Sequence, residues 1–129
     1  MKILHIWREE MKELEKSKKI AQCIYTAIHN KSESDIKVLN VMEITTLADI
    51  FVIATASNSR LLAALADEVE QKLAEEGYVC TAKEGYNTAR WILLDCQGVI
   101  VHLFHEEEAE FYKLDKLWSD GKVMELEKK

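Results

Sequence analysis

Ile50-Phe51-Val52-Ile53-Ala54-Thr55-Ala56-Ser57-Asn58-Ser59 is the stretch that decides the fold. Its first seven residues carry no charge and are rich in β-branched and aromatic side chains, as expected of a strand covered on both faces. Ser57, Asn58 and Ser59 then offer short polar side chains able to accept from the free N–H groups that open a helix. Leu62, Leu65, Ala66, Val69 and Leu73 follow on one helical stripe, and Gly77 stands where a left-handed residue ends such a helix. The unit is therefore a buried strand leading directly into an amphipathic helix.

Toward the C-terminus, residues 78–82 predict a short strand near a sheet edge, and the polar residues 83–89, with Gly85, predict a loop. Residues 91–96 and 99–104 predict two strands joined by a tight turn at Gln97-Gly98, hence an antiparallel hairpin. Residues 106–118 predict a last helix, with Phe111, Leu114 and Trp118 on one face and Glu106, Glu107 and Glu108 favourably placed in the first turn. The polar residues 119–129 predict a fraying tail. Toward the N-terminus, residues 36–42 alternate as a strand. Residues 9–30 predict a helix with Leu14, Ile20, Cys23, Ile24, Ala27 and Ile28 on one side. A strand–helix–strand crossover beside a hairpin implies an α/β fold: a mixed sheet of about five strands flanked by helices.

A chain of 129 residues, 48% hydrophobic, suits one domain with one core. Residues 1–16 read as an N-terminal extension or the start of the first helix, 17–119 as the domain, and 120–129 as the polar tail. No apolar run approaches the roughly 20 residues needed to span a bilayer. Met1 to Glu10 lacks the apolar stretch of a signal peptide, so a cytoplasmic protein is expected. The net charge of −6 disfavours direct binding to nucleic acid or to an anionic membrane, and suits a basic protein partner. Cys23, Cys80 and Cys96 sit in apolar settings, with no spacing that marks a zinc site or a redox pair.

Catalysis finds little support. No Gly-rich loop or P-loop lysine accompanies Ser57-Asn58-Ser59. Asp49 stands where a nucleotidyltransferase strand offers two acids one residue apart to hold magnesium, but here the sequence is Asp49-Ile50-Phe51 and one carboxylate cannot bridge two metals. Asp49 is accordingly read as a turn, capping or contact residue. His102 and His105 have opposite parity along their strand, so they point to opposite faces and form no metal pair. Cys96 and His102 on adjacent strands make a conceivable dyad, but a thiol in an apolar strand is ordinarily inert. No cofactor and no enzymatic activity are expected.

The hairpin carries the recognition signal instead. Ile92, Leu94 and Cys96 share one face; Trp91, Leu93 and Asp95 share the other. The second face carries a charge and follows Arg90, which favours it as the outer one, and an exposed Trp beside polar groups has the make-up of an interface hot spot; the alternative is a Trp91 half-buried under the last helix.

The segments LADIFVIATASNSR (47–60), ARWILLD (89–95) and VIVHLFHE (99–106), with Phe111-Tyr112 and Lys116-Leu117-Trp118, together resemble the ribosomal silencing factor family, also called Iojap or RsfS. The likeness runs from about Ser17 to Ser119. It implies a nucleotidyltransferase-like topology without the catalytic acids. It also implies binding to the large ribosomal subunit through its protein number fourteen. Occupying that site blocks subunit joining and represses translation under nutrient limitation. The free protein is expected to be a homodimer. By this resemblance the contact tryptophan is Trp91, joined by Arg90, Asp95, His102, His105 and Tyr112, with acidic Glu84, Glu106 and Glu107 available to basic groups. Two departures stand out: Ala56 replaces a glycine common in the family, and the segment before Ser17 is longer than usual. The alternative reading is a nucleotide-binding enzyme of nucleotidyltransferase-like fold.

Overall fold

The computed structural model describes residues 2–33, 35–108 and 122–123, with side chains over 12–33 and 35–108. The chain begins with helix α1 (Lys2–Lys31), then strands β1 (Ile36–Asn40) and β2 (Ile50–Ala56). Helix α2 (Ser59–Glu75) follows, and then β3 (Ala82–Glu84), β4 (Trp91–Cys96), β5 (Val99–His105) and β6 (Lys122–Val123). The strands form one mixed sheet in the order β3-β4-β5-β2-β1-β6. β2 and β5 are parallel, with Ile50 opposite Val99 and Ala56 opposite His105. All other neighbours are antiparallel.

The strand–helix unit read from residues 50–77 is present as expected. Asn58, in extended backbone, accepts from the Leu61 N–H at 2.8 Å and caps α2. Gly77 leaves the helix at φ +85°, a conformation an L side chain resists. Leu62, Leu65, Ala66, Val69 and Leu73 are all fully buried. They meet Ile20, Ala21, Ile24, Ala27 and Ile28 of α1 above the sheet side chains Val52, Ala54, Ile92, Leu94, Val101 and Leu103. Each large aliphatic side chain so buried contributes about 1.5–3 kcal/mol of transfer free energy. α1 and α2 thus cover the same face of the sheet. Gln97 and Gly98 have φ of +55° and +96°, which is the type I′ pattern whose twist suits a two-residue hairpin.

Three local expectations need correction. The edge strand is residues 82–84, not 78–82; within the expected 83–89 loop, Lys83 and Glu84 pair with Leu94 and Leu93. All three β3 residues are exposed, so no apolar alternation marks them. The strand is held by backbone pairing and side-chain clamps. Lys83 reaches Glu70 of α2 at 3.0 Å, and Tyr86 donates to Asp67 at 3.0 Å. Second, Lys122 and Val123, placed by sequence in a fraying tail, pair with Asn40 and Leu39, which makes the sheet six-stranded. Third, α1 starts at Lys2, seven residues before the expected 9–30 helix. In the expected last helix, Glu106 and Glu107 form a turn; the positions from 109 on, with Tyr112 and Trp118, lie outside the described residues.

Candidate functional site

The face of the sheet away from α1 and α2 is built from different chemistry. Sheet register places Trp91, Leu93 and Asp95 of β4 beside Phe104, His102 and Ile100 of β5, and then Phe51 and Ile53 of β2. Leu39, Val41, Ala48, Phe51, Ile53, Ile100 and Phe104 form a second apolar cluster there. Trp91 emerges at its edge, 37% exposed. Its partners on the same strand behave as the alternation requires: Ile92, Leu94 and Cys96 are buried on the helix side.

Trp91 is fixed although it is exposed. Its ring stacks on Phe104 with centroids 4.9 Å apart and planes 24° from parallel. Its indole N–H donates to His102 Nδ1 at 3.3 Å. His102 is 4% exposed and lies edge-on to Phe51 at 4.7 Å. Burial pushes its pKa down to about 4, so the ring is neutral at pH 7. A neutral ring that accepts through Nδ1 carries its proton on Nε2. That Nε2 is buried and has no hydrogen-bond partner among the described residues. His102 therefore orients the tryptophan.

The other site residues divide into two groups. Glu84 and Asp95 lie on the same face as Trp91. Glu84 is exposed on β3 opposite Leu93, and Asp95 lies four residues along β4, a reach of about 13 Å. Arg90, His105 and Glu106 gather at the end of the sheet next to Trp91. Arg90 C=O accepts from the His105 N–H, and its guanidinium lies 3.2 Å from Glu108. His105 Nδ1 accepts from the Glu107 N–H at 3.1 Å, closing the turn after β5. Glu106 N–H donates to Ala56 C=O at 2.9 Å and leaves its carboxylate exposed. His102 and His105 face opposite sides, and no cluster of three or more His, Cys, Asp or Glu suited to a metal occurs among the described residues. Cys96 faces the helices and His102 the other side, so they form no dyad.

Asp49 has a structural partner that the sequence did not disclose. Ser17 of α1, itself buried, donates to Asp49 Oδ2 at 2.8 Å. The Asp49 N–H donates to Gly98 C=O at 2.8 Å, and its C=O accepts from the Val41 N–H. The carboxylate thus ties α1 to the start of β2, and the backbone N–H ties the same residue to the β4–β5 turn. Sequence also missed the contact of Cys80 with Cys96, whose sulfurs lie 2.6 Å apart. Sixteen residues separate them in the chain. Only the β3–β4 register brings them together.

Three comparisons bear on this arrangement. The family described as "Ribosomal silencing factor during starvation" matches residues 14–129. The ribosomal silencing factor of Halalkalibacterium halodurans is 34% identical over 111 residues, 86% of this chain and 95% of that protein. That of Bacillus subtilis is 34% identical over 85% of this chain and 93% of its own length. The chloroplastic protein Iojap of Arabidopsis thaliana is 33% identical over 71% of this chain and 38% of its own. Among solved structures, a Bacillus halodurans protein superposes with a TM-score of 0.75 at 32% identity, covering 84% of this chain and 99% of that one. A Chromobacterium violaceum protein gives 0.76 at 28% identity, covering 80% and 86%.

Proposed function

The chain belongs to the ribosomal silencing factor family, and from that premise we propose that it docks on the large ribosomal subunit through ribosomal protein number fourteen. Docked there, it blocks joining of the small subunit and so represses translation when nutrients are scarce. Occupancy is the mechanism, and no cofactor or catalytic step enters. The observation that carries this reading is Trp91: an exposed indole held in one orientation by Phe104 and by the buried, neutral His102. A ring already ordered in the free protein loses little side-chain entropy on docking, the property that favours aromatic anchors.

Glu84, Asp95 and Glu106 give the surroundings acidic character in keeping with the net charge of −6, which steers a basic partner and makes association slow as salt rises. Arg90 and His105 form the rim beside the anchor. A cytoplasmic location and a homodimer in the free state belong to the same reading.

Co-sedimentation with purified large subunits tests it. Wild type should pellet with the subunits, and Trp91→Ala should weaken binding by about 2 kcal/mol or more, roughly 30-fold. Undiminished binding by the variant overturns the anchor. Absence of binding by the wild type overturns the function. The nucleotidyltransferase-like alternative is opposed by Asp49, whose carboxylate is engaged by Ser17 and has Phe51 where a second acid would stand. Heat of binding with a nucleoside triphosphate and magnesium, followed by product formation, would revive it.

A further inference from the structure

The β3–β4 register brings together two thiols remote in sequence. We propose that Cys80 and Cys96 are an oxidation site, at which a small-molecule disulfide such as oxidised glutathione closes an intramolecular bond stapling the segment after α2 to the end of β4. Their sulfurs are 2.6 Å apart, so reaching the ~2.05 Å of a disulfide requires a movement of about half an ångström. The backbone on both sides is already tied. Thr81 N–H donates to Asp95 C=O at 2.7 Å, and the Gln97 side-chain amide donates to Val79 C=O at 3.1 Å. The neighbours of Cys80 are thus bonded to the neighbours of Cys96.

The two thiols differ in the way an attacking and a resolving cysteine must. Cys80 is partly exposed, whereas Cys96 is 1% exposed. The hydrogen bond from Cys96 lowers the Cys80 pKa against the upward pull of burial, and the same contact together with burial pushes Cys96 up. The Cys80 thiolate attacks one sulfur of oxidised glutathione, forming a mixed disulfide and expelling one glutathione thiolate. Cys96 gives its proton to that thiolate or to water and attacks Cys80 Sγ. The mixed bond breaks and the second glutathione leaves. The protein loses two protons and two electrons, and oxidised glutathione takes them up to become two glutathione thiols. Cys23, on α1, lines a cleft with Lys72 and Glu75, makes no contact with either sulfur of this pair, and serves as an internal reference.

The test treats the full chain with oxidised glutathione under native conditions, then alkylates free thiols and maps tryptic peptides. Cleavage after Lys83 and Arg90 puts the two cysteines on different peptides. The expected product is a Cys80–Cys96 linked peptide, with Cys23 alkylated and a raised Tm that dithiothreitol reverses. In Cys96→Ala the reaction should stop at a glutathione adduct on Cys80. The inference is overturned if the wild type keeps glutathione on Cys80, if both thiols remain alkylatable, or if the link forms only in denaturant. Should Cys96→Ala fail to fold, the map of Cys23→Ser, which leaves the pair intact, decides by the same outcomes.

Discussion

The two faces of the sheet are made from the same strands and have opposite characters. On the helix side, Ile92, Leu94, Val101 and Leu103 meet the aliphatic stripes of α1 and α2. On the other side the same strands present Trp91, Asp95, His102 and Phe104, where a buried imidazole and an exposed indole are hydrogen-bonded among aromatic rings. A core needs only volume and apolarity, and the first face supplies both. The second face buries an imidazole and leaves a large ring partly in water. The difference teaches that one sheet can join a mainly aliphatic face, which packs on the helices, to a face on which a polar hydrogen bond orders a partly exposed ring.

Adjacent residues on β4 offer the sharpest way to break this comparison. Leu94→Ala removes a fully buried side chain and should cost about 3 kcal/mol in urea unfolding, whereas Leu93→Ala, half-buried on the other face, should cost about 1 kcal/mol. Equal losses would show that the two faces are equivalent in stability.

His102 gives the next largest effect. Its folded pKa of about 4 lies below the ordinary value near 6.5, so the unfolded chain takes up the extra proton first as pH falls. Its contribution to stability is therefore full above pH 6.5, falls between about 6.5 and about 4, and then levels, a loss of about 3 kcal/mol. His102→Phe should remove that component, seen as a flatter pH dependence than the wild type in denaturant melts. Asn58→Ala should cost about 1 kcal/mol through the lost α2 cap. Smallest of all, Lys83→Ala breaks an exposed ion pair with Glu70 and should leave the urea unfolding midpoint nearly unchanged. A large loss there would mean that β3 is more than a decorated edge.

Much of this was legible from local pattern. β2, α2, β4 and β5 each carry an apolar period or a turn residue within a few positions, and strand parity alone separated His102 from His105 and Trp91 from Ile92. What escaped depends on partners distant in sequence. β3 is exposed throughout, so no apolar period marks it, and the strand expected at residues 78–82 began four residues too early. Neither the Ser17 bond to Asp49 nor the meeting of Cys80 with Cys96 has a signature in spacing. The tie between Trp91 and His102 could have been suspected once the β4–β5 turn was fixed, because the turn sets the register that places them diagonally.

The parallel pairing of β2 with β5 also governs the order in which the chain can be assembled. β1 protects one edge of β2 as soon as both are made, but the other edge waits for residues from Val99 onward. At ~5–20 residues per second, a ribosome leaves that seven-residue apolar edge open for roughly a few seconds. The nascent chain thus carries an unpaired strand that α2 can shield on one face only. The β4–β5 hairpin, closed locally by Gln97 and Gly98, needs few residues between its strands, whereas pairing β5 with β2 closes a far longer loop and is the slower contact to form.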